Sequence, residues 1–173
     1  EQWLDWKLEV KRFYLGSGEE YYNPWRRRLL KASNKYRFPI VRIVRYWLYF
    51  SYLLDSSRYV LKTITQEKRF AKNGGIALLD RYPQIEFKGI NDGPKIRTML
   101  MDRVPKGFRW LGTRYARMEE LNLKKAVNIA PSLVYKLVLS TEESLCRKPF
   151  ENREMVERKH EIIKALQFPY SEV

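Results

Sequence analysis

The chain of 173 residues is long enough to bury the core of one domain, and its 45% apolar and 31% charged residues exclude a disordered or fibrous protein. Lys and Arg outnumber Asp and Glu by 34 to 20, which gives a formal net charge of +14. Such an excess favours anionic partners, namely nucleotides, nucleic acid, an acidic membrane surface or phosphorylated substrates. A basic, well-solvated surface would account for the same charge equally well.

The chain has one cysteine and one histidine. Cys146 alone excludes an internal disulfide and a thiolate metal site and fits a reducing cytosol, so we expect a cytoplasmic protein. His160 alone excludes a histidine metal cluster and receives no catalytic role. The longest uncharged runs, Tyr46 to Leu54 and Ala126 to Tyr135, are shorter than the roughly 20 residues of a membrane-spanning helix. The chain opens at Glu1 inside an apparent helix, so we expect it to be truncated.

The first half of the chain alternates between helical and extended patterns. The end of a helix at residues 2–8 precedes a β-rich strand, Val10 to Leu15, that runs into Gly16-Ser17-Gly18. A basic helix is expected after Pro24 to about Tyr36. A longer helix from about Val41 to Lys72 carries one apolar stripe and stops at Asn73-Gly74-Gly75. The stripe comprises Ile43, Trp47, Phe50, Leu54, Leu61 and Ile64.

The second half repeats the alternation. The apolar run Ile76 to Leu79 predicts a buried parallel strand, which ends at Asp80-Arg81-Tyr82-Pro83. After a loop-rich segment, a helix is expected over about Thr113 to Lys125. The pattern then predicts a strand at 131–139, a charged helix at 151–166, and the approach to one more strand at 168–173.

Strands that alternate with helices predict crossover connections. We therefore expect an α/β fold with a three-layer parallel sheet and helices on both faces. Residues 1–173 would form a single domain. In open parallel sheets, ligands bind beyond the carboxyl ends of the strands.

Asp80-Arg81 is the sharpest candidate for chemistry, because the pair directly follows a predicted strand. A carboxylate at this position can hold the water shell of Mg²⁺, and a guanidinium can clamp phosphate oxygens with two hydrogen bonds. The alternative is an ordinary salt-bridged loop.

Arg58 continues the apolar stripe, four residues after Leu54 and three before Leu61. An unpaired charge on a buried face is costly, so the guanidinium would need an internal carboxylate or an anionic ligand. The alternative is an arginine whose stem follows the helix while its head reaches solvent.

The remaining charged and glycine-rich segments are weaker signals. Arg147 and Lys148 follow a predicted strand and helical turn, and taken alone they read as a solvated loop. Gly16-Ser17-Gly18 is not a phosphate-binding P-loop, because the pattern G-x-x-x-x-G-K-[ST] is absent from the sequence. Arg26-Arg27-Arg28 is a basic run, which is either a solvated face or a contact for phosphates or lipid headgroups.

In their order and spacing, four segments together resemble the thymidylate kinase family of P-loop nucleotide kinases. Leu53-Leu-Asp-Ser-Ser-Arg58 is similar to the family's Leu-Leu-Phe-x-Ala-x-Arg helix segment, and Asn73 to Tyr82 is similar to its Gly-x-x-Val-x-x-Asp-Arg-Tyr strand. Pro131 to Leu139 is similar to its Pro-Asp-Leu strand, and Thr141 to Leu145 to the helix that follows. The family's P-loop and adenine-contacting region have no counterpart in these residues.

The resemblance implies a fold of the P-loop NTPase type, incomplete at both ends, in which the helical segment 24–72 carries the acceptor-site side and 140–155 is a short lid region. It also implies a role for each matched residue. Arg58, Tyr82, Gly16 and Ser17 would bind the acceptor nucleotide. Arg81 would bridge acceptor and donor phosphates, and Asp80 would act on magnesium indirectly, through water. Arg147 and Lys148 would contact phosphate from the lid.

The resemblance also implies a function. The full protein would transfer the γ-phosphoryl group of ATP, with Mg²⁺, to a (deoxy)nucleoside monophosphate such as dTMP, while this chain alone would be inactive. It implies nucleotide substrates, allows a homodimer and predicts neither a specific nucleic-acid partner nor a transmembrane segment. The alternative is a non-catalytic, kinase-like scaffold whose basic face binds a polyanion or an acidic membrane surface.

Overall fold

The computed structural model describes residues 9–15, 25, 28, 39–89, 93–98, 104–129, 140–147 and 152–166. The chain divides into two units, Glu1–Ile129 and Ala130–Val173. The first unit contains the strands β1 (Val10–Phe13) and β2 (Ile76–Leu79), the helices α1 (Pro39–Lys72) and α2 (Arg109–Val127), and a 3₁₀ turn at Lys106–Phe108. The second contains the helices α3 (Thr141–Arg147) and α4 (Arg153–Ala165).

The predicted three-layer parallel sheet with helices on both faces is wrong. The described residues are 69% helix and 7% strand, and their only sheet has two strands. Alternating patterns predict separate elements but do not determine how many strands join one sheet. The long helices pack mainly on each other instead, α1 along α2. The segment predicted as a further strand, 131–139, lies outside the described residues.

β1 and β2 confirm the two strands predicted in the first unit, and they pair in parallel. The register sets Val10 opposite Ile76 and Phe13 opposite Leu79. The expectation of a fully buried β2 is wrong, because a two-stranded sheet leaves one of its faces open; Leu78 is 41% exposed. The parallel register brings the carboxyl ends of both strands to the same edge.

α1 confirms the long predicted helix and begins at Pro39, where a proline without an N–H is tolerated because the first turn has no intrahelical acceptor for it. It ends where predicted, since Gly74 adopts a left-handed φ of +90° beyond the last turn. Gly75 follows against the Phe70 ring, so that a Cβ there would collide with it. This tight turn carries the chain directly from α1 into β2.

Two groups of buried side chains stabilise the first unit. One joins the middle of α1 to α2 through Phe50, Leu53 and Ala116, with the partly buried ring of Tyr115 packed against them. The other lies under the strand ends and contains Leu15, Ile64 and Ala126, packed against Leu79 and Tyr82 among others. The second group fixes the sheet edge on which the candidate site is built.

In the second unit, the helices occupy the predicted lid and C-terminal segments. Ser140 and Glu143 cap α3 reciprocally, because each side chain accepts a hydrogen bond from the other residue's backbone N–H. Asn152 caps α4 by accepting from the Glu154 N–H at 3.1 Å. His160 contacts Ser144 through Nε2 and Oγ at 3.1 Å, in keeping with a structural role. Within the described residues, none of the helices is long and apolar enough to span a bilayer.

Candidate functional site at the strand ends

Asp80 ties the two strand ends together. Its Oδ1 accepts a hydrogen bond from the Leu15 backbone N–H at 2.8 Å, across the short connection that follows β1. Its Oδ2 lies 3.5 Å from Nε of Arg81, and the side chains are 15% and 47% exposed, respectively. The carboxylate is therefore held by the backbone, beside a partly exposed guanidinium. A guanidinium can bind phosphate oxygens with two hydrogen bonds, and this role of Arg81 stays a prediction.

Tyr82 fastens the same edge to the end of α2. Its hydroxyl lies 3.1 Å from the carbonyl oxygen of Val127 and 2.9 Å from that of Ile129 and shares its hydrogen between them. These carbonyls follow the last turn of α2, where backbone acceptors lack intrahelical donors. The hydroxyl of Tyr82 is thus engaged in structure, and its acceptor-binding role stays a prediction.

A cavity of about 270 Å³ lies next to the strand ends, with Leu15 in its wall. Tyr49, Tyr52 and Ser56 of α1 line one side, and the rings of Tyr49 and Tyr52 are 6.2 Å apart at 54°. Lys95 also lines the cavity. Asp80 and Arg81 are not among its described lining residues, and the hydrogen bond from the Leu15 N–H to Asp80 is what connects the pair to the cavity wall. The volume is slightly below the range for small-molecule sites, about 300–1,000 Å³.

Glu119 of α2 fixes the wall of this cavity that carries Lys95. The carboxylate is 3% exposed and accepts backbone hydrogen bonds from Ile96 at 2.9 Å and from Lys95 at 3.1 Å. Burial raises the pKa of Glu119 above its ordinary value, and the hydrogen bonds from Ile96 and Lys95 counteract part of that effect. A buried acid is thus used to hold a loop in place.

Gly93 also lines the cavity, and Gln84 shapes the loop against which Gly93 packs. The Gln84 side chain accepts from the Phe87 N–H at 2.7 Å and donates to the Phe87 carbonyl at 2.6 Å, which closes the loop after Tyr82 on itself. Gly93 packs so tightly against this pair that a Cβ would collide with the Phe87 carbonyl oxygen and the Gln84 amide. A glycine is therefore required where the two segments meet.

Arg58 lies away from this group of residues. The expectation of a buried Arg58 is wrong: the side chain is exposed and forms an ion pair at 3.2 Å with Asp55, itself exposed, so the alternative of a guanidinium that reaches solvent is confirmed. Arg58 lines a different recess between α1 and α2, none of whose described lining residues lines the cavity. At 3.6 residues per turn, Arg58 and Val60, which borders the cavity, are about 200° apart around α1. Its role toward an acceptor stays a prediction.

The other predicted residues are distributed as follows. Arg147 is the last residue of α3, in the second unit. Gly16, Ser17 and Lys148 lie outside the described residues. No group of three or more His, Cys, Asp or Glu side chains suited to a metal ion occurs in the part of the chain that the structure describes. Asp80 alone fits only the indirect contact, through water, that the motif implies.

Sequence reasoning missed Glu119, Lys95 and the tyrosines of the cavity. One signal could have found Glu119. It falls within the buried stripe of α2, which recurs at spacings of four and three through Gly112, Ala116, Glu119, Leu123 and Ala126. A carboxylate on an apolar stripe requires internal donors. The tyrosines carry a weaker signal, since aromatic residues on a helix are usually part of the core.

No protein-family model, curated protein or solved structure matches the chain. The resemblance to nucleotide kinases therefore depends on the motifs alone, and the geometry of the first unit must carry any functional argument.

Proposed function

We propose that the protein is an ATP-dependent phosphotransferase acting on a (deoxy)nucleoside monophosphate such as dTMP, and that this chain carries the acceptor side of its site. The observation that supports the proposal is the hydrogen bond from the Leu15 N–H to Asp80, because Leu15 is also part of the wall of a cavity lined by two tyrosines. The kinase-like motif around Asp80 supports the same reading.

The cavity offers the groups that a nucleotide needs. Tyr49 and Tyr52 supply aromatic surface against which a base can stack, and Leu53, Val60 and Leu123 supply apolar contacts. Lys95 and Arg81 supply positive charge for the phosphate. A ligand with its base among the tyrosines and its phosphate toward Arg81 would bury its apolar part and leave its charge at the open edge.

Phosphoryl transfer between nucleotides needs positioning and charge neutralisation more than covalent chemistry. An oxygen of the acceptor phosphate attacks the γ-phosphorus of ATP, the bond to the β-phosphate oxygen breaks, and ADP leaves. In this reaction Arg81 would neutralise phosphate oxygens, and Asp80, held by Leu15, would fix the position of Arg81. Magnesium would arrive with ATP, and Asp80 would reach it only through water.

The first test is binding of dTMP to the 173-residue chain, measured by isothermal titration calorimetry, with thymidine as the ligand that lacks phosphate. We expect dTMP to bind at least about tenfold more tightly than thymidine, since hydrogen bonds to charged groups contribute about 1.5–3 kcal/mol. Arg81→Ala should remove this advantage, whereas Arg69→Ala, which deletes an exposed arginine near the end of α1, should preserve it. Equal binding of both ligands to the unmodified chain would refute the proposal.

A second measurement concerns turnover. Because the P-loop pattern is absent from these 173 residues, we expect the chain to bind the acceptor yet transfer no phosphoryl group from ATP with Mg²⁺. Formation of dTDP above the no-protein control would show that a donor site lies within this chain. Arg58→Ala tests the acceptor-binding role that the motif implies for Arg58. Loss of dTMP binding in this variant would support that role, although Arg58 does not line the cavity.

The net charge of +14 favours one other candidate, a non-catalytic scaffold that binds a polyanion or an acidic membrane surface. Binding of this kind should weaken steeply with added salt and should be insensitive to Arg81→Ala. Salt-sensitive binding of single-stranded DNA or anionic vesicles, without any binding of dTMP, would favour the scaffold.

A further inference from the structure

The recess that contains Arg58 is an open groove of about 330 Å³ between α1 and α2. It combines two arginines and one carboxylate, Arg58, Arg114 and Asp55, with the apolar side chains of Leu54, Leu111 and Met118, so that one positive charge is in excess. Arg58 is 54% exposed, and its partner Asp55 is 43% exposed. The groove thus presents positive charge beside apolar surface.

A stripe of exposed side chains on α2 extends the groove along the helix. Trp110, Arg114, Met118 and Leu121 recur at spacings of four, four and three, which places them on one side of α2. Trp110 is 66% exposed, Met118 38% and Leu121 49%. The stripe spans 12 residues from Trp110 to Leu121, about 16 Å at a rise of 1.5 Å per residue, or three turns of a helix.

The α1 side of the groove contributes one more aromatic residue. Trp47 is 47% exposed, and its Nε1 donates to the hydroxyl of Tyr115, which lines the groove, at 3.1 Å. Exposed Trp, Met and Arg side chains are typical of surfaces that bind another protein. An elongated groove with spacings of three and four fits the apolar face of a helix.

We infer that this groove binds an acidic amphipathic helix of a partner protein. The choice of occupant follows from charge: Arg58 and Arg114 would face carboxylates beside the apolar stripe of the partner, and the chain as a whole carries +14. The same charge disfavours a second copy of this chain, because two copies would repel each other. This surface is separate from the proposed acceptor cavity, whose residues lie on the opposite face of α1.

The test measures binding of a fluorescein-labelled 15-residue peptide to the full chain by fluorescence anisotropy. The peptide carries leucines at positions 1, 5, 8 and 12 and glutamates on both sides of that stripe. A second peptide of identical composition has its leucines scattered around the helix, which separates recognition of an amphipathic face from simple attraction to a basic protein. We expect the first peptide to bind at least about tenfold more tightly than the scattered one.

Substitutions then locate the binding surface. Arg114→Gln should weaken binding about fivefold or more and Met118→Glu should abolish it, while Arg69→Gln, the matched loss of one exposed charge, should change affinity less than twofold. Far-ultraviolet circular dichroism and dTMP titration report whether each variant remains folded and retains the other site. Equal binding of the two peptides, or equal effects of Arg114→Gln and Arg69→Gln, would overturn the inference. So would a dimer in sedimentation experiments that Met118→Glu dissociates, since a second copy would then occupy the groove.

Discussion

The polar groups on the two sides of α1 are held differently. On the side toward the strand ends, Glu119 of α2 accepts hydrogen bonds from the backbone of Lys95 and Ile96 while almost fully buried. On the opposite face, Arg58 and Asp55 form an ion pair in solvent. The first face therefore has its geometry fixed by the fold, and the second can rearrange around a partner at little cost. A small ligand that must be oriented for chemistry suits the first face, and a protein surface suits the second.

The largest expected effect tests whether the side chains toward the strand ends stabilise the fold more than the exposed side chains do. Ile64 of α1 is fully buried beside Leu15 and Ala126, so Ile64→Ala should lower the free energy of unfolding by about 3 kcal/mol. The matched change Leu121→Ala, at a position 49% exposed, should lower it by less than about 0.5 kcal/mol. Urea denaturation of both variants measures the difference. Equal losses would mean that the two faces do not differ as described.

The next effect concerns Glu119. Glu119→Ala leaves two backbone N–H groups without their acceptor beside a cavity that water can enter, so we expect a loss of about 2 kcal/mol in the free energy of unfolding. Glu119→Gln retains a side-chain oxygen acceptor and should lose clearly less. Chemical denaturation at neutral pH distinguishes the two variants. Identical losses would show that the carboxamide cannot replace the hydrogen bonds to Lys95 and Ile96.

The titration of Glu119 gives a smaller effect with a defined sign. Because its pKa in the folded state lies above that in the unfolded state, the folded state binds more protons, and this group lowers stability as the pH rises through that interval. We therefore expect the difference in unfolding free energy between the unmodified chain and Glu119→Gln to fall from about pH 4 upward and then to level off. A difference that rises over that range would contradict the assigned direction.

The sequence predicts the strands and the long helix near the strand ends better than it predicts the candidate site there. β1, α1 and β2 follow from local signals, namely an apolar run, a helical stripe and the Asn73-Gly74-Gly75 stop, and each signal acts over a few residues. The number of strands in the sheet does not, because it depends on pairing between distant segments. Asp80 could be predicted as a strand-end residue, whereas its bond to Leu15 spans 65 positions and has no local pattern.

The same reasoning explains the outcome for Arg58 and the cavity lined by the tyrosines. The stripe predicted a buried Arg58, whereas its side chain is exposed and pairs with Asp55, three residues earlier. Sequence alone could not show which side of α1 the strand ends would occupy, because Tyr59 reaches the Tyr14 carbonyl only in the folded chain. The tyrosines and Lys95 come together through packing of α1, α2 and the loop at residues 93–96, which no single segment specifies.

The smallest expected effect concerns the ion pair on the open face. An exposed pair three residues apart on a helix stabilises it by only about 0.2–0.5 kcal/mol, because water screens both charges and both side chains lose rotamer freedom. Arg58→Ala should therefore change the free energy of unfolding by no more than about 0.5 kcal/mol, as measured by urea denaturation, and 1 M salt should reduce even this difference. A loss above about 1.5 kcal/mol would mean that Arg58 is held by more than Asp55. The open face would then be preorganised like the face toward the strand ends, and its assignment to an adaptable protein contact would lose its physical basis.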